Sequence, residues 1–269
     1  MISTIGFSPM GPGHLVHLPA EHPQSPNRRI PESTLLLTPM GVRDIVRSLP
    51  IVGRAAVYGS GLVRRLTFTG SKDYWEGRYR KGGHSGDGSL GHLARFKADV
   101  LNEFVTRHHV ASVVEFGCGD GRQLELARYP RYLGLDVSVT ALRECSARFT
   151  NDSTKSFLLY SSEAFVDPLG IVSAELALSL DVIYHLVEDP VFDAYMTHLF
   201  AAGTRYVGIY SSDTTRIAPQ PHVRHRKYSE WVLARAPGFR TLERIDNPHR
   251  GDHFIDQSFA DFVFYERTS

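Results

Sequence analysis

Cysteine is nearly absent. Cys118 and Cys145 are the 2 in 269 residues, and they have neither the paired spacing nor the histidine company of a zinc or redox centre. A disulfide-stapled scaffold is thereby excluded, and two reduced thiols are expected. Long apolar runs are lacking as well: no stretch approaches the ~18 residues of a membrane span. The first residues show no basic stretch leading into an apolar core of the kind that directs secretion, so a cytoplasmic location is expected. Nor is there an excess of one charge. Thirty Lys and Arg against 29 Asp and Glu leave +1, which gives the chain as a whole no electrostatic bias toward nucleic acid. What remains is a globular composition, with 42% hydrophobic residues and 23 glycines, of a length that suits one large domain or a domain with an appendage.

Four stretches differ in pattern. Residues 1–39 are rich in Pro, His and Gly (His14, His17, Pro19, His22, Pro23, Pro26) and carry no helical or strand period, so a disordered tail is expected. Its histidines hold no fixed geometry, and no metal is expected there. Residues 41–70 mix apolar residues with Arg43, Arg47, Arg54, Arg64 and Arg65, while Pro50 and Gly53 preclude one long helix. Such a basic segment suits contact with an anionic membrane surface or a partner through 41–66, or a cap over the main domain. Next, Tyr74, Trp75, Arg78 and Tyr79 precede a glycine-rich loop, Gly82–Ser89. Leu93, Phe96, Val100, Leu101, Phe104 and Val105 then mark one face of a helix. The chain thus divides into a tail (1–39), a cap and lid segment (40–90) and a main domain (91–269).

Within the main domain, strand-like runs (Ser112–Phe116, Tyr132–Asp136, Phe157–Tyr160, Glu175–Leu180, Tyr206–Tyr210) alternate with helical pieces around Gln123–Ala127, Ala141–Phe149 and Val191–Phe200. This alternation predicts an α/β fold, a doubly wound and mostly parallel sheet. Arg240–Ile245 and Phe259–Tyr265 follow without an intervening helix and predict an antiparallel pair at the sheet edge. The first strand runs Val113-Val114-Glu115-Phe116 into Gly117-Cys118-Gly119-Asp120-Gly121. A Gly-x-Gly-x-Gly turn lets the backbone reverse sharply and a ligand lie against it, at the strand end where open α/β sheets bind ligands. The third glycine falls one position too early for a nicotinamide-binding fingerprint. Asp136 ends the second strand, where a carboxylate can accept both hydroxyls of a ribose.

At these residues the chain resembles the class I S-adenosylmethionine-dependent methyltransferases, from about Tyr74 to the C-terminus. The resemblance implies a seven-stranded sheet whose last strand is antiparallel, an N-terminal cap, and S-adenosylmethionine as cofactor. It implies that Glu115 and the Gly117, Gly119 and Gly121 backbone hold the methionine part, that Asp136 binds the ribose, and that Ser162 and Glu163 lie at the adenine. It places Leu180 at the cofactor, and Tyr74 and Arg78 in a cap over the cofactor's carboxylate, with Gly82–Gly88 as a lid.

Methyl transfer is an in-line displacement, so alignment supplies most of its rate, and a hydroxyl acceptor must also lose its proton. His185, after the fourth strand, is the candidate base. Asp181 is a candidate to orient it, to bind an acceptor hydroxyl or to touch the sulfonium. Asp181, Glu188 and Asp189 raise the alternative of a divalent metal, but the last two read more simply as the acidic opening of a helix before Pro190, and no metal is expected. Tyr184, His222, Arg224, His225 and Tyr228 form a polar and basic stretch expected on the substrate side, suited to sugar hydroxyls or phosphate. Around Leu178–Asp189 and His222–Tyr228 the chain is similar to sugar O-methyltransferases of methylmannose polysaccharide synthesis. The expected partner is therefore a small-molecule acceptor, a mono- or oligosaccharide, and not nucleic acid; a homo-oligomer is compatible. A methyltransferase of aromatic or amine natural products, or a silent cofactor-binding subunit, remain the alternatives.

Overall fold

The computed structural model describes residues 68–251 and 257–268. The expectations for the tail (1–39) and for the basic segment 41–66 lie outside the described residues. Seven strands form one sheet: β1 (Val113–Phe116), β2 (Tyr132–Asp136), β3 (Lys155–Leu159), β4 (Ala174–Leu180), β5 (Gly203–Ser211), β6 (Phe239–Ile245) and β7 (Asp261–Arg267). Their order is β3-β2-β1-β4-β5-β7-β6. β1 pairs parallel with β2 and β4, whereas β7 runs antiparallel to both β5 and β6. β7 thus inserts between β5 and the edge strand β6.

Side chains along the inner strands alternate between two cores, as the period of two requires. Val114 and Phe116 of β1, Ala177 of β4 and Val207 and Ile209 of β5 join one cluster. Val113, Leu176, Leu178, Tyr206 and Tyr210 join the other. Helix α4 (Asp189–Ala202) packs Tyr195, Met196 and Leu199 into the first, and helix α2 (Gly91–Arg107) packs Leu101, Phe104 and Val105 into the second. Helix α3 (Val139–Arg148) starts at Ser138, whose hydroxyl accepts from the Ala141 amide at 3.1 Å, meeting one of the donors a helix start leaves unpaired. Helix α1 (Ser71–Arg80) precedes the lid loop, and α5 (Tyr228–Arg235) lies between β5 and β6.

Two expectations need correction. Gln123–Ala127 is only a single tight turn, Leu124–Leu126, because Arg122 and Gln123 still belong to the exit from the glycine loop. Tyr228 does not lie in a loop but opens α5.

Candidate active site

The strand order reverses between β1 and β4, and a cavity of about 340 Å³ opens beyond their carboxyl ends. Nine of the expected residues line it: Glu115, Gly117, Gly119, Asp136, Ser162, Glu163, Leu180, Asp181 and His185. Ser162 and Glu163 sit on the loop after β3, Glu163 exposed.

Two buried carboxylates define one side. Glu115, on β1, accepts from Tyr132 Oη at 2.6 Å. Burial pushes its pKa up to about 7, with the Tyr132 hydroxyl and the Lys97 ammonium pulling the other way. Asp136 is likewise raised by burial, to about 6, against the backbone amides that bond it. Those bonds run from Gly119 N to Oδ2 (2.9 Å) and from Ser138 N to Oδ1 (2.8 Å). The end of β2 therefore braces the glycine loop. Gly119 has φ 60°, and a Cβ there would collide with Ser85 Oγ. Only glycine admits the lid so close.

The lid is fastened at that point. Ser85 Oγ donates to Asp120 Oδ1 (2.8 Å), accepts from the Asp120 amide (3.1 Å) and lies 3.0 Å from Tyr79 Oη. Further along the same loop, Gly88 lies against Asp181: a Cβ on it would come within 2.9 Å of Asp181 Oδ2.

Asp181 adopts φ 60°, a left-handed conformation uncommon for a non-glycine residue. Its carboxylate accepts from Lys97 Nζ (2.7 Å) and Tyr184 Oη (2.8 Å). Lys97, on α2, is 1% exposed and stands over the Tyr210 ring. The expected role of Asp181 in orienting His185 through a hydrogen bond is therefore not what the structure forms. That bond goes to the chain itself: His185 Nδ1 lies 2.9 Å from the His222 carbonyl. A carbonyl only accepts, so Nδ1 carries the proton and Nε2 is left with a free lone pair. Burial drives the imidazolium down to about 4, while the His222 carbonyl and the Asp181 charge work in the opposite direction. Trp75 stands edge-on to the ring at 4.9 Å.

The remaining expected residues are placed elsewhere. Of α1, Ser71, Lys72, Asp73, Trp75 and Tyr79 line the cavity. Tyr74 instead stacks on His222 with ring centroids 4.2 Å apart, and Arg78 Nε donates to the His84 carbonyl at 2.7 Å. Gly121 packs toward Cys145 behind the loop. None of Tyr184, His222, Arg224, His225 and Tyr228 lines the cavity. Tyr184 and His222 support Asp181 and His185 from behind. Arg224 donates to the Val187 carbonyl (2.9 Å) and pairs with Asp189 (3.0 Å). Arg226 bonds the Leu186 carbonyl (2.8 Å) and Asp189, so the basic run clamps the start of α4. His225 Nδ1 meets Ser212 Oγ at 2.6 Å, and Tyr228 is 1% exposed in the core. Glu188 accepts from Ser71 N (2.9 Å) and Ser71 Oγ (2.7 Å), capping α1 from across the site. With Glu188 and Asp189 thus engaged, no group of three His, Cys, Asp or Glu among the described residues is arranged to hold a metal. No helix among the described residues is long and apolar enough to cross a membrane.

Lys97 and Gln123 also line the cavity, and pattern reading passed over them. Lys97 lies four residues from both Leu93 and Leu101, a charge on the apolar face of α2, and that misplacement was the available signal. Ser85 carries no comparable signal.

No family model matches the chain, and no curated protein matches its sequence. Solved structures do match by shape. Magnesium protoporphyrin IX methyltransferase (ChlM) from Synechocystis, with bound SAH, aligns at TM-score 0.54 and 14% identity, over 73% of this chain and 98% of that one. The N-methyltransferase NodS from Bradyrhizobium japonicum aligns at 0.53 and 16%, over 65% and 96%. The methyltransferase domain of bacterial CtHen1-C aligns at 0.51 and 16%, over 64% and 97%. What this chain shares with them is the fold: a Rossmann-like, seven-stranded methyltransferase sheet with its cavity at the strand ends.

Proposed function

We propose that the chain is an S-adenosylmethionine-dependent O-methyltransferase acting on a sugar hydroxyl, the 1-hydroxyl of a partly methylated mannoside being the favoured acceptor. The observation that carries this reading is His185: a neutral imidazole in the cavity wall with Nδ1 committed to the His222 carbonyl and Nε2 left as a base. The residues present fit the cofactor. Glu115 and Asp136 offer buried carboxylates to a cation and to ribose hydroxyls, and Gly117 and Gly119 line the cavity with backbone that carries no Cβ. When bound, S-adenosylmethionine supplies a methyl group on a sulfonium.

His185 Nε2 would take the proton of the acceptor hydroxyl as that oxygen attacks. Burial weakens this base, to about 4, so proton transfer has to run alongside attack, and the most acidic hydroxyl of a sugar, the anomeric one, asks least of it. The Asp181 charge favours the imidazolium that forms. Trp75 and Tyr79 wall the site, and the Ser85 latch excludes water. Six acids line the cavity (Asp73, Glu115, Asp136, Glu163, Asp181 and Glu188), which also suits a cationic amine and keeps N-methylation as the second reading. The deciding experiment is incubation with methyl-labelled S-adenosylmethionine and a panel of mannosides, phenols and amines. A methyl ether on the sugar is expected; label appearing only on phenols or amines contradicts the acceptor, and no transfer to any contradicts the reaction.

A further inference from the structure

Gln123, just after the glycine loop, lines the cavity and is 9% exposed. Its Nε2 donates to the Ala94 carbonyl of α2 at 3.0 Å. That carbonyl can only accept, so the orientation of the amide is fixed and Oε1 is the end left over. Oε1 is buried and has no hydrogen-bond partner among the described residues. A buried acceptor left unpaired is costly and calls for a donor.

Lys97 sits one helical turn beyond Ala94 and lines the same cavity. Its ammonium has three N–H donors, and among the described residues its one hydrogen bond goes to Asp181 Oδ2. The lining of one cavity therefore carries an unmet acceptor, on Gln123, and unmet donors, on Lys97. A carboxylate or phosphate would satisfy Lys97 and repel Gln123 Oε1. An ammonium would satisfy Gln123 and be repelled by Lys97. A hydroxyl, which both donates and accepts, satisfies the two together.

We propose that Gln123 and Lys97 form an acceptor subsite that grips a second hydroxyl of the substrate, one that is not methylated, so that the enzyme selects polyols over acceptors with a single hydroxyl. This rests on the methyltransferase reading of the cavity and names the substrate class within it. Lys97 also links the subsite to Asp181, so the gripped hydroxyl is registered against the segment that carries His185.

The test measures binding of D-mannose and its monodeoxy analogues to the protein saturated with S-adenosylhomocysteine, for wild type, Gln123→Leu and Gln123→Met. S-adenosylhomocysteine and 5′-methylthioadenosine, which lacks the amino-acid end, are titrated separately. Both variants are expected to keep S-adenosylhomocysteine affinity within about twofold and to bind mannose about fivefold or more weakly, the loss of one hydrogen bond. One deoxy analogue is expected to bind wild type as weakly, with no further loss in the variants. Mannose binding unchanged in both variants, or equal losses for every analogue, overturns the subsite. A fall in S-adenosylhomocysteine affinity with methylthioadenosine unaffected also overturns it, since Gln123 would then hold the cofactor's own end. Failure of the wild type to bind S-adenosylhomocysteine is a different result and strikes the methyltransferase reading itself.

Discussion

Cofactor affinity should depend on pH through Asp136 and Glu115. Both carboxylates are raised by burial, to about 6 and about 7, and both are proposed to act ionised, toward ribose hydroxyls and a cation. At about pH 5 a group titrating near 6 is ionised roughly one time in eleven, so a ligand that needs Asp136 ionised binds about tenfold more weakly than at pH 8. Glu115 steepens the loss, taking the slope of log Kd against pH beyond one below about pH 6. The sign for stability is opposite. A carboxyl raised in the folded state binds protons that the unfolded chain releases, so its contribution to the unliganded protein is full below about pH 4. That contribution fades as pH rises through 6 and 7. The unliganded protein thus gains stability from these two groups on acidification while it loses affinity. Calorimetric titration with S-adenosylhomocysteine from pH 5 to 8, in buffers of different ionisation enthalpy, reads both Kd and proton release. Release of protons near pH 6, and loss of about one unit of slope in Asp136→Asn, are expected. That substitution is also expected to cost about 1.5–3 kcal/mol of binding at neutral pH, as for a charged hydrogen bond. A flat Kd with no proton release would refute the assignment of both acids.

His185→Ala should leave S-adenosylhomocysteine affinity intact and cut turnover by roughly 10²–10⁴, measured as labelled methyl transfer; near-wild-type turnover across pH 6–9 would remove it from the mechanism. Lys97→Met should destabilise the fold by about 2–4 kcal/mol, somewhat below the cost of breaking a fully buried pair because the Asp181 side chain keeps 18% exposure. A fall of about 5–10 °C in Tm is expected, partly restored by adding Asp181→Asn; an unchanged Tm would deny the pair its structural weight. Ser85→Ala removes the latch to Asp120 and Tyr79, and limited proteolysis within Gly82–Gly88 should quicken about tenfold. Equal cleavage rates would mean that the lid is held by other contacts.

The sheet was legible in the sequence because its central strands are buried on both faces and read as largely apolar runs ending in Phe116, Asp136 and Leu180. The cavity side of those strands was legible for the same reason: strand ends and positive-φ glycines leave local signals. What failed to show were contacts made across long stretches of chain. Helical phase alone decides that Trp75 and Tyr79, rather than Tyr74 and Arg78, face the cavity, and α1 carries too weak an apolar stripe to set that phase. Arg224 read as a ligand-facing residue because nothing local reveals that the Val187 carbonyl and Asp189 lie within its reach. Likewise Lys97 finds Asp181 across 84 residues, a pairing visible only once α2 has packed beneath β4 and β5.

The central claim, that this cavity takes S-adenosylmethionine, is tested most directly by thermal-shift titration with S-adenosylhomocysteine, with NAD alongside. Ligand at about 100 times its Kd adds roughly 2.7 kcal/mol, a rise of about 5–10 °C for a domain of this size. A saturating shift with S-adenosylhomocysteine and none with NAD is the predicted result. No shift with S-adenosylhomocysteine would contradict the roles given to Glu115, Asp136 and the glycine loop together.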